Sequence, residues 1–291
     1  MGSYSIKELE GLSGIKAHTI RIWEKRHKIV VPKRTATNIR MYSDADLKKI
    51  INVALLNNHG IKISRIAGMS DAELKKEVTG LASSQNETGP FIDQLIVCMI
   101  DMEEEQFEKL FSHLIIKFGF EKTITETIYP FLEKIGILWQ TGNITPAQEH
   151  FVSNLVRQKI IVAIDSLPFP KPDATKIVLF LPEHEFHEIG LLLYHYIAKG
   201  LGFKAYYLGQ HLPYEDLRQV CGEHQPGIII TSIIASQGGQ KATGYLQKLG
   251  RDFPQTRILV GGNPDLATLP NLPNITHIEN SMALKAYLAK F

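Results

Sequence analysis

The sequence contains little cysteine and no long apolar run, and both shortages narrow the choice of protein class. Cys98 and Cys221 are the only cysteines among 291 residues, too few for a disulfide framework or, by themselves, for a zinc site. No apolar run approaches the roughly 18 residues that a membrane span needs, and Met1–Glu10 lacks the apolar core of a signal peptide. We therefore expect a cytoplasmic protein without a membrane partner, in which both cysteines are buried and reduced.

The composition is that of an ordinary globular protein, but the charge is unevenly distributed. Hydrophobic residues make up 44% of the chain and charged residues 21%, which excludes a mostly disordered or fibrous protein. Residues 1–75 contain 14 Lys and Arg against 7 Asp and Glu, a net charge of +7, whereas the remainder contains 18 against 23, a net charge of −5. A basic head on an acidic body indicates a polyanion-binding module that is joined to a second function.

The head has the pattern of a winged helix-turn-helix. Ser5-Ile-Lys-Glu8 is a capping box that opens a helix, and Ser13-Gly14 ends it. A second helix over about residues 17–26 completes a helix-turn-helix. The stretch Val30–Tyr42, with strand-like ends around a polar and basic middle, predicts a small β wing. Further capping patterns open helices at Ser43 and at Ser70.

The rest of the chain is predicted to form two more domains. Residues 76–90 are interpreted as a linker, because 82–90 are small and polar and have no periodicity. Residues 91–167 have helical periodicity with breaks that leave four helices, enough for a central four-helix bundle. In residues 173–291, short apolar runs alternate with helical stretches, which predicts a doubly wound α/β domain of the Rossmann or flavodoxin type. The predicted strands span about 176–181, 204–208, 227–232, 257–261 and 275–278.

The order of motifs in the head resembles a known DNA-binding domain. The second helix carries Thr19-Ile-Arg21-Ile-Trp23-Glu24, and the wing ends in Arg40-Met-Tyr42-Ser43-Asp44-Ala-Asp46-Leu47. Over about residues 3–75 this resembles the DNA-binding domain of the MerR family of transcriptional regulators. The resemblance implies a double-stranded DNA operator as partner and a homodimer on paired half-sites. No cysteine stands where the metal sensors of that family need ligands, which argues against a thiolate metal sensor.

In a helix-turn-helix, the outward residues of the second helix enter the major groove, and the wing meets the flanking backbone. Trp23, in contrast, is predicted to lie in the core. The expected DNA-binding residues are Lys16, His18, Thr19, Arg21 and Lys25 in the helix, Lys33, Arg34 and Arg40 in the wing, and, by the resemblance, Tyr42 on a phosphate.

A candidate ligand loop follows the first predicted strand of the α/β domain. Glu185-Phe-His187-Glu-Ile-Gly190 lies just before a helix, at the strand end where doubly wound folds bind ligands. With Ser232-Ile-Ile234 and Gly261-Gly262 it resembles the cobalamin-binding signature of corrinoid domains, D-x-H-x-x-G, S-x-L and G-G. Glu replaces Asp and Ile replaces Leu, and the longer Glu can alter the hydrogen bond that tunes the histidine.

This resemblance implies a cobalamin cofactor whose nucleotide tail inserts between the sheet and a helix. His187 would then be the lower axial ligand of cobalt. Ser232 would contact the buried tail, and Gly261 and Gly262 would let the backbone approach where a Cβ would clash.

A second motif lies in the predicted bundle. Trp139, nine residues and then Glu149-His150 resemble the W-x9-E-H motif of the CarH/LitR-like group of light-responsive, cobalamin-dependent MerR-type repressors. Between them, Thr145 and Pro146 predict the cap and the first residue of a new helix. The resemblance implies a helical cap over the upper face of the corrin. Trp139 would pack against the adenosyl group, Glu149 would hydrogen-bond to it, and His150 would lie beside it.

The three modules together imply a regulator and not an enzyme. Adenosylcobalamin would stabilise a dimer or tetramer in the dark that binds the operator and represses transcription. Light would break the cobalt–carbon bond, so that the oligomer dissociates. Two alternatives stay open. One is a corrinoid carrier protein for methyl transfer, and the other is a MerR-type regulator whose α/β domain binds a protein partner and no cofactor.

Gln140 generates a prediction from the sequence alone. In the best-known light-responsive relatives the residue after the motif Trp is a histidine that can capture cobalt after photolysis, whereas an amide oxygen is a weak ligand for oxidised cobalt. We expect the illuminated protein to exchange its corrinoid readily, and Gln140→His to retain it longer. The measurement is the corrinoid absorbance that remains with the protein after light and gel filtration. Equal loss from the wild type and the variant would contradict this expectation.

Overall fold

The computed structural model describes residues 3–35, 37–58, 60–82, 89–140, 144–234, 239–262 and 273–291. The chain divides into two compact units, Met1–Leu155 and Val156–Phe291. The first unit contains the head and most of the helical middle, and the second contains the α/β domain. The boundary falls inside the helix Pro146–Asp165, so the predicted four-helix domain is divided within its last helix.

The head begins with two helices in the predicted places. Helix α1 (Ile6–Ser13) has the predicted capping box. Ser5 Oγ accepts the N–H of Glu8 at 3.4 Å, and Glu8 Oε2 accepts the N–H of Ser5 at 2.6 Å. Helix α2 (Ala17–His27) follows and buries Trp23, which confirms the assignment of Trp23 to the core.

A small antiparallel sheet forms the wing. Its strands are β1 (Ser3–Tyr4), β2 (Lys33–Arg34) and β3 (Arg40–Ser43), in the order β1-β3-β2. The wing is shorter than predicted, since β2 begins at Lys33 and not near Val30. Strand β1 was not predicted, because two residues have no periodicity and their partners, Ser43 and Tyr42, are far from them in the sequence.

Three further helices complete the head. They are α3 (Asp44–Asn58), α4 (Ile63–Ile66) and α5 (Asp71–Ala82). Helices α3 and α5 begin directly after the predicted capping residues, Ser43 and Ser70. The backbone N–H groups of these serines donate to carboxylates three residues later at 2.9 and 2.8 Å. Helix α5 therefore includes the first part of the predicted linker 76–90, and residues 83–88 lie outside the described part of the chain.

In the described residues the helical middle consists of four helices, as predicted. They are α6 (Gly89–Asp101), α7 (Glu104–Phe118), a continuous helix made of α8 (Phe120–Thr123), the π-helical segment Ile124–Ile128 and α9 (Tyr129–Gln140), and finally α10 (Pro146–Asp165). Met102 and Gly119, with φ values of 54° and 82°, separate the first three of these helices. Phe107 of α7 and Phe131 of α9 are fully buried, with ring centroids 6.2 Å apart. None of the described helices is both long and apolar enough to cross a membrane.

The second unit contains the predicted doubly wound α/β domain. Its elements are β4 (Lys176–Pro182), α11 (Glu188–Gly200), β5 (Lys204–Leu212), α12 (Tyr214–His224), β6 (Ile228–Ile233), α13 (Gly239–Asp252), β7 (Arg257–Gly262), β8 (Ile275–His277) and α14 (Ser281–Leu288). The five strands are parallel, in the order β5-β4-β6-β7-β8. The strand order reverses between β4 and β6, and ligands of such folds bind beside the C-terminal ends of the strands at this switch point.

Both faces of this sheet are covered by helices. On one face Val178, Ile229 and Val260 form a core with Leu217 of α12 and Leu246 of α13. Helix α11 contacts β4, β5 and β6 and also packs against α14. Because neighbouring residues of a strand point to opposite faces, every second residue of β6 and β7 points to the face of the sheet on which α11 lies.

Candidate functional site

A buried carboxylate lies at the switch point of the sheet. Glu185 is in the loop between β4 and α11, and its side chain is only 4% exposed. One carboxylate oxygen accepts the N–H groups of Phe186 at 3.0 Å and His187 at 3.1 Å, and the other accepts the N–H of Ile234 at 2.8 Å. Ile234 directly follows β6. The carboxylate therefore joins the ends of the two strands that flank the switch point.

The same carboxylate orients His187. Glu185 Oε1 lies 2.6 Å from His187 Nδ1, and the imidazole side chain, just before α11, is 59% exposed. A carboxylate at Nδ1 favours the tautomer that carries its proton there, and in that tautomer Nε2 has the lone pair that a metal ligand needs. The replacement of Asp by Glu thus preserves the hydrogen bond to the histidine. Gly190 of the same motif lies in the first turn of α11.

Ser232, Gly261 and Gly262 lie at the C-terminal ends of β6 and β7. Ser232 pairs with Gly261 in parallel register and is 3% exposed. A Cβ at Gly261 would lie 2.5 Å from Tyr194 Oη, and a Cβ at Gly262 would lie 2.2 Å from the carbonyl oxygen of Ile233. Gly262 also has a φ of 109°, which other residues rarely adopt. The three residues are at the same edge of the sheet as the buried carboxylate, and neither glycine leaves room for a side chain.

Aromatic side chains support the exposed side of the ligand loop. The N–H of His184 donates to His211 Nδ1 at 2.9 Å, and the Phe186 ring stacks on His211 with centroids 5.3 Å apart. His184 and His211 have φ values of 66° and 57°. Through these contacts His184 and His211 hold the backbone of the ligand loop.

A charged triad beside His187 was not predicted. The buried carboxylate of Glu188, the first residue of α11, accepts hydrogen bonds from Arg157 Nε at 2.6 Å and from Tyr207 Oη at 2.8 Å. The bond to Glu188 raises the pKa of Arg157, and burial raises the pKa of Tyr207. Arg157 is on α10 and Tyr207 on β5, so the triad joins three elements next to the loop. No local spacing relates these residues, and a sequence pattern therefore could not reveal them.

Glu149 and His150 lie in the first turn of α10, which begins as predicted. Thr145 Oγ1 accepts the N–H of Gln148 at 3.3 Å, and Gln148 Oε1 accepts the N–H of Thr145 at 3.0 Å. His150 Nδ1 lies 2.8 Å from Glu149 Oε2, and the His150 side chain is 71% exposed. The structure thus joins Glu149 and His150 as a pair on the helix surface.

Trp139 and Gln140 are the last two residues of α9. Their side chains lie outside the described part of the structure, as do residues 141–143. The expected action of Trp139 together with Glu149 and His150 on the adenosyl group therefore stays a prediction.

Most of the expected DNA-binding side chains are exposed on α2 and the wing. The exposed ones are Lys16, His18, Arg21, Lys25, Lys33 and Arg34. Thr19 and Arg40 are half-buried. Lys16 pairs with Glu10 at 3.1 Å, and Glu10 also accepts the N–H of Ala17 at 3.0 Å. The bond from Ala17 is the main reason that the pKa of Glu10 is lowered, and it fixes the start of α2 against α1.

Tyr42 requires a correction to the sequence-based prediction. Its side chain faces the core, where it is 1% exposed, and its hydroxyl donates to Glu24 Oε2 at 3.3 Å. It is therefore not placed to contact a phosphate. Burial, assisted by Glu24, raises the pKa of Tyr42 to about 12. Arg40 Nε lies 3.1 Å from both oxygens of the same carboxylate, so Glu24 connects α2 to the wing. The sequence motif contained Glu24 but did not reveal this role.

Comparison with protein families identifies the class of protein. Residues 4–73 match the model described as MerR HTH family regulatory protein, and residues 91–163 match the model described as B12 binding domain. The first match covers the winged helix-turn-helix, and the second covers the helical middle. The chain therefore combines a MerR-type helix-turn-helix domain with a B12-binding domain.

More particularly, the chain is homologous to the CarH and CarA transcriptional repressors. It is 27% identical to the HTH-type transcriptional repressor CarH of Myxococcus xanthus over 267 residues, which are 89% of each chain. It is 23% identical to the repressor CarA of the same organism over 259 residues, 88% of this chain and 85% of the relative. Both relatives are named as transcriptional repressors and not as enzymes.

A solved structure confirms the fold. The monomethylamine corrinoid protein of Methanosarcina barkeri has a TM-score of 0.56 and 16% sequence identity with this chain. The similarity covers 69% of this chain and 98% of that protein. The fold is therefore that of corrinoid proteins with a helical part and a Rossmann-like parallel sheet.

Removal of Arg157 should destabilise the second unit, because Glu188 would stay buried without its cationic partner. We expect Arg157→Met to lower the free energy of unfolding by about 1–3 kcal/mol, as measured by urea denaturation of the full chain. Arg218→Met is the matched control. Arg218 pairs with Glu215 at the surface, where the two side chains are 53% and 73% exposed, and such pairs contribute about 0–1 kcal/mol. Equal losses in the two variants would contradict the structural role of the triad.

Proposed function

We propose that this chain is a cobalamin-dependent transcriptional repressor whose binding to operator DNA is controlled by the bound corrinoid. The observation that carries this proposal is the bonded pair Glu185–His187 at the switch point of the sheet, in a chain that begins with a MerR-type DNA-binding domain. The match to a B12-binding domain and the homology to the repressor CarH support it.

The residues of the ligand loop fit a corrinoid. Imidazole nitrogen is a suitable ligand for cobalt, and a carboxylate behind it fixes its orientation and raises its basicity. His187 would therefore be the residue that holds the cobalt, and Glu185 would orient it. Ser232, Gly261 and Gly262 would flank the nucleotide tail at the ends of the strands, where a Cβ at Gly261 would meet the Tyr194 side chain and a Cβ at Gly262 the Ile233 backbone.

We further propose that adenosylcobalamin is the form bound and that light is the signal. When bound, adenosylcobalamin supplies a cobalt–carbon bond that light breaks. Trp139, Glu149 and His150 would hold the adenosyl side, as the resemblance of their spacing implies. The contact of 2.8 Å between Glu149 and His150 supports this role, because it presents the two side chains as one unit at the start of α10.

The head would bind DNA as part of a dimer or tetramer. Arg21 and Lys25, exposed on α2, are suited to the major groove. Arg34 is exposed on the wing, and Arg40, held through Nε by Glu24, keeps its two terminal nitrogens for the phosphate backbone. Linking several weak heads raises their effective concentration on repeated half-sites, so affinity rises without new contacts. The functional domains would be residues 1–75, 91–167 and 173–291.

The two alternative functions are supported less well. A corrinoid carrier for methyl transfer has no use for a MerR-type head, which the comparisons establish here. A regulator without cofactor leaves unexplained why a buried carboxylate orients an exposed imidazole beside two glycines at the switch point.

His187→Ala should weaken cofactor binding by about tenfold or more, because it removes the imidazole ligand itself. At metal sites, loss of only the residue that orients a ligand already lowers metal affinity by about 10–100-fold. The measurement is a dark titration of the full chain with adenosylcobalamin, followed by visible absorption. Absorption spectra of the same sample before and after green light test whether the bound cofactor is adenosylcobalamin, whose cobalt–carbon bond light breaks. The matched control is His224→Ala, since His224 lies at the end of α12 and stacks on Tyr206. If His187→Ala had the same spectrum and the same affinity for the cofactor as the wild type, the assignment of His187 as a cobalt ligand would be wrong.

Arg21→Ala should weaken operator binding and leave cofactor uptake intact. We expect a loss of about 1–3 kcal/mol for a base contact and strong salt dependence of the wild type, because basic side chains displace counterions. The measurement is a gel shift at several salt concentrations, with DNA that the wild type selects from a random duplex library. Lys122→Ala is the control, as Lys122 is exposed on α8 in the helical middle. A variant that binds the selected DNA like the wild type would contradict the role of α2.

A further inference from the structure

The space beside Gly261 is filled by a side chain of the protein itself. A Cβ at Gly261 would lie 2.5, 2.7 and 3.0 Å from the Oη, Cε2 and Cζ atoms of Tyr194. The Tyr194 ring therefore lies directly over the backbone of this glycine. Tyr194 is on α11, seven residues after His187, and is 7% exposed. Its ring is thus enclosed between α11 and the end of β7.

This space is also where the proposed function places the nucleotide tail. Ser232 pairs with Gly261 in register, and paired residues of parallel strands point to the same face of the sheet. The position of Tyr194 shows that this face is the one toward α11. Ser232, which is 3% exposed, therefore faces the same space, whereas Val260 belongs to the core on the opposite face.

A phenol ring and the flat aromatic base of a nucleotide tail cannot share this space. Non-bonded carbon atoms approach no closer than about 3.5 Å without repulsion, and the ring already touches the glycine backbone. Gly262 gives no additional room, because its missing Cβ faces the backbone of Ile233. A tail can enter only if the Tyr194 side chain rotates out, since a side chain can move more easily than a paired strand.

We propose that Tyr194 closes the tail slot of the free protein and leaves it when a corrinoid with a complete nucleotide tail binds. This inference rests on the proposed cobalamin binding. Tyr194 then determines which corrinoid binds readily. A tail-bearing cobalamin must displace the ring, whereas cobinamide, which has the corrin ring and cobalt but no nucleotide tail, need not. The apparent affinity for a tail-bearing corrinoid is reduced by the fraction of protein in which the slot is open.

The test compares Tyr194→Val, which empties the slot, with Tyr194→Phe, which keeps a ring in it. Hydroxocobalamin and cobinamide are mixed separately with the full chain, and binding is followed by stopped-flow absorption. We expect Tyr194→Val to bind hydroxocobalamin about tenfold faster or tighter than the wild type, as for a slot that is open about a tenth of the time. Tyr194→Phe should resemble the wild type, and cobinamide binding should be the same in all three proteins.

The outcomes separate the two proposals. Equal hydroxocobalamin binding by all three proteins would overturn the closing role of Tyr194 while leaving cobalamin binding in place. If none of them binds either corrinoid, the proposed function fails, and the inference fails with it.

A second measurement covers the case in which Tyr194→Val does not fold. The wild type is labelled with fluorotyrosine, and the Tyr194 resonance is assigned by its loss in Tyr194→Phe. Hydroxocobalamin should move this resonance toward that of a solvent-exposed ring, and cobinamide should not. An unmoved resonance with bound hydroxocobalamin would overturn the inference.

Discussion

The ligand loop depends on the cost of burying one carboxylate. Removing an ionised carboxylate from water costs several kcal/mol unless hydrogen bonds and nearby positive charge replace the water. For Glu185, the N–H groups of Phe186, His187 and Ile234 and the imidazole of His187 do so, at 2.6 to 3.1 Å. Because the Glu185 carboxylate needs all of these hydrogen-bond partners, it also fixes their positions. The direction of the imidazole and the separation of the two strand ends are therefore set before any ligand binds.

Two other acidic residues act in a similar way. Glu188 holds Arg157 and Tyr207 beside the same loop, and Glu24 holds Arg40 and Tyr42 in the head. In each case a poorly exposed acid joins elements that are distant in the sequence. The net charge of the head suggested DNA binding through its excess of basic residues. The geometry adds that an acid on α2 determines where one of those basic residues can reach.

The parts of the fold that were predictable are those with local causes. Each capping pattern is contained within four residues and predicts the start of a helix. The structure has a helix directly after each capping residue, Ser5, Ser43, Ser70 and Thr145. The alternation of apolar runs and helical stretches likewise predicted the parallel sheet. What was missed has non-local causes. Strand β1 exists only through its pairing with β3, and the burial of Tyr42 and the Arg157–Glu188 pair depend on which elements meet in the folded chain.

The two glycines of the signature show how far a motif can be interpreted physically. Both were predicted to leave space for a ligand, yet in the structure other atoms of the protein fill the space beside each glycine. At Gly262 the neighbour is the Ile233 backbone, which is held by strand pairing, and the positive φ excludes other residues in any case. That glycine is required by the fold. At Gly261 the neighbour is the Tyr194 side chain, which has rotamers to choose from. Only the space beside Gly261 can be vacated by the protein and then filled by a ligand. The two glycines of the motif therefore have different physical roles.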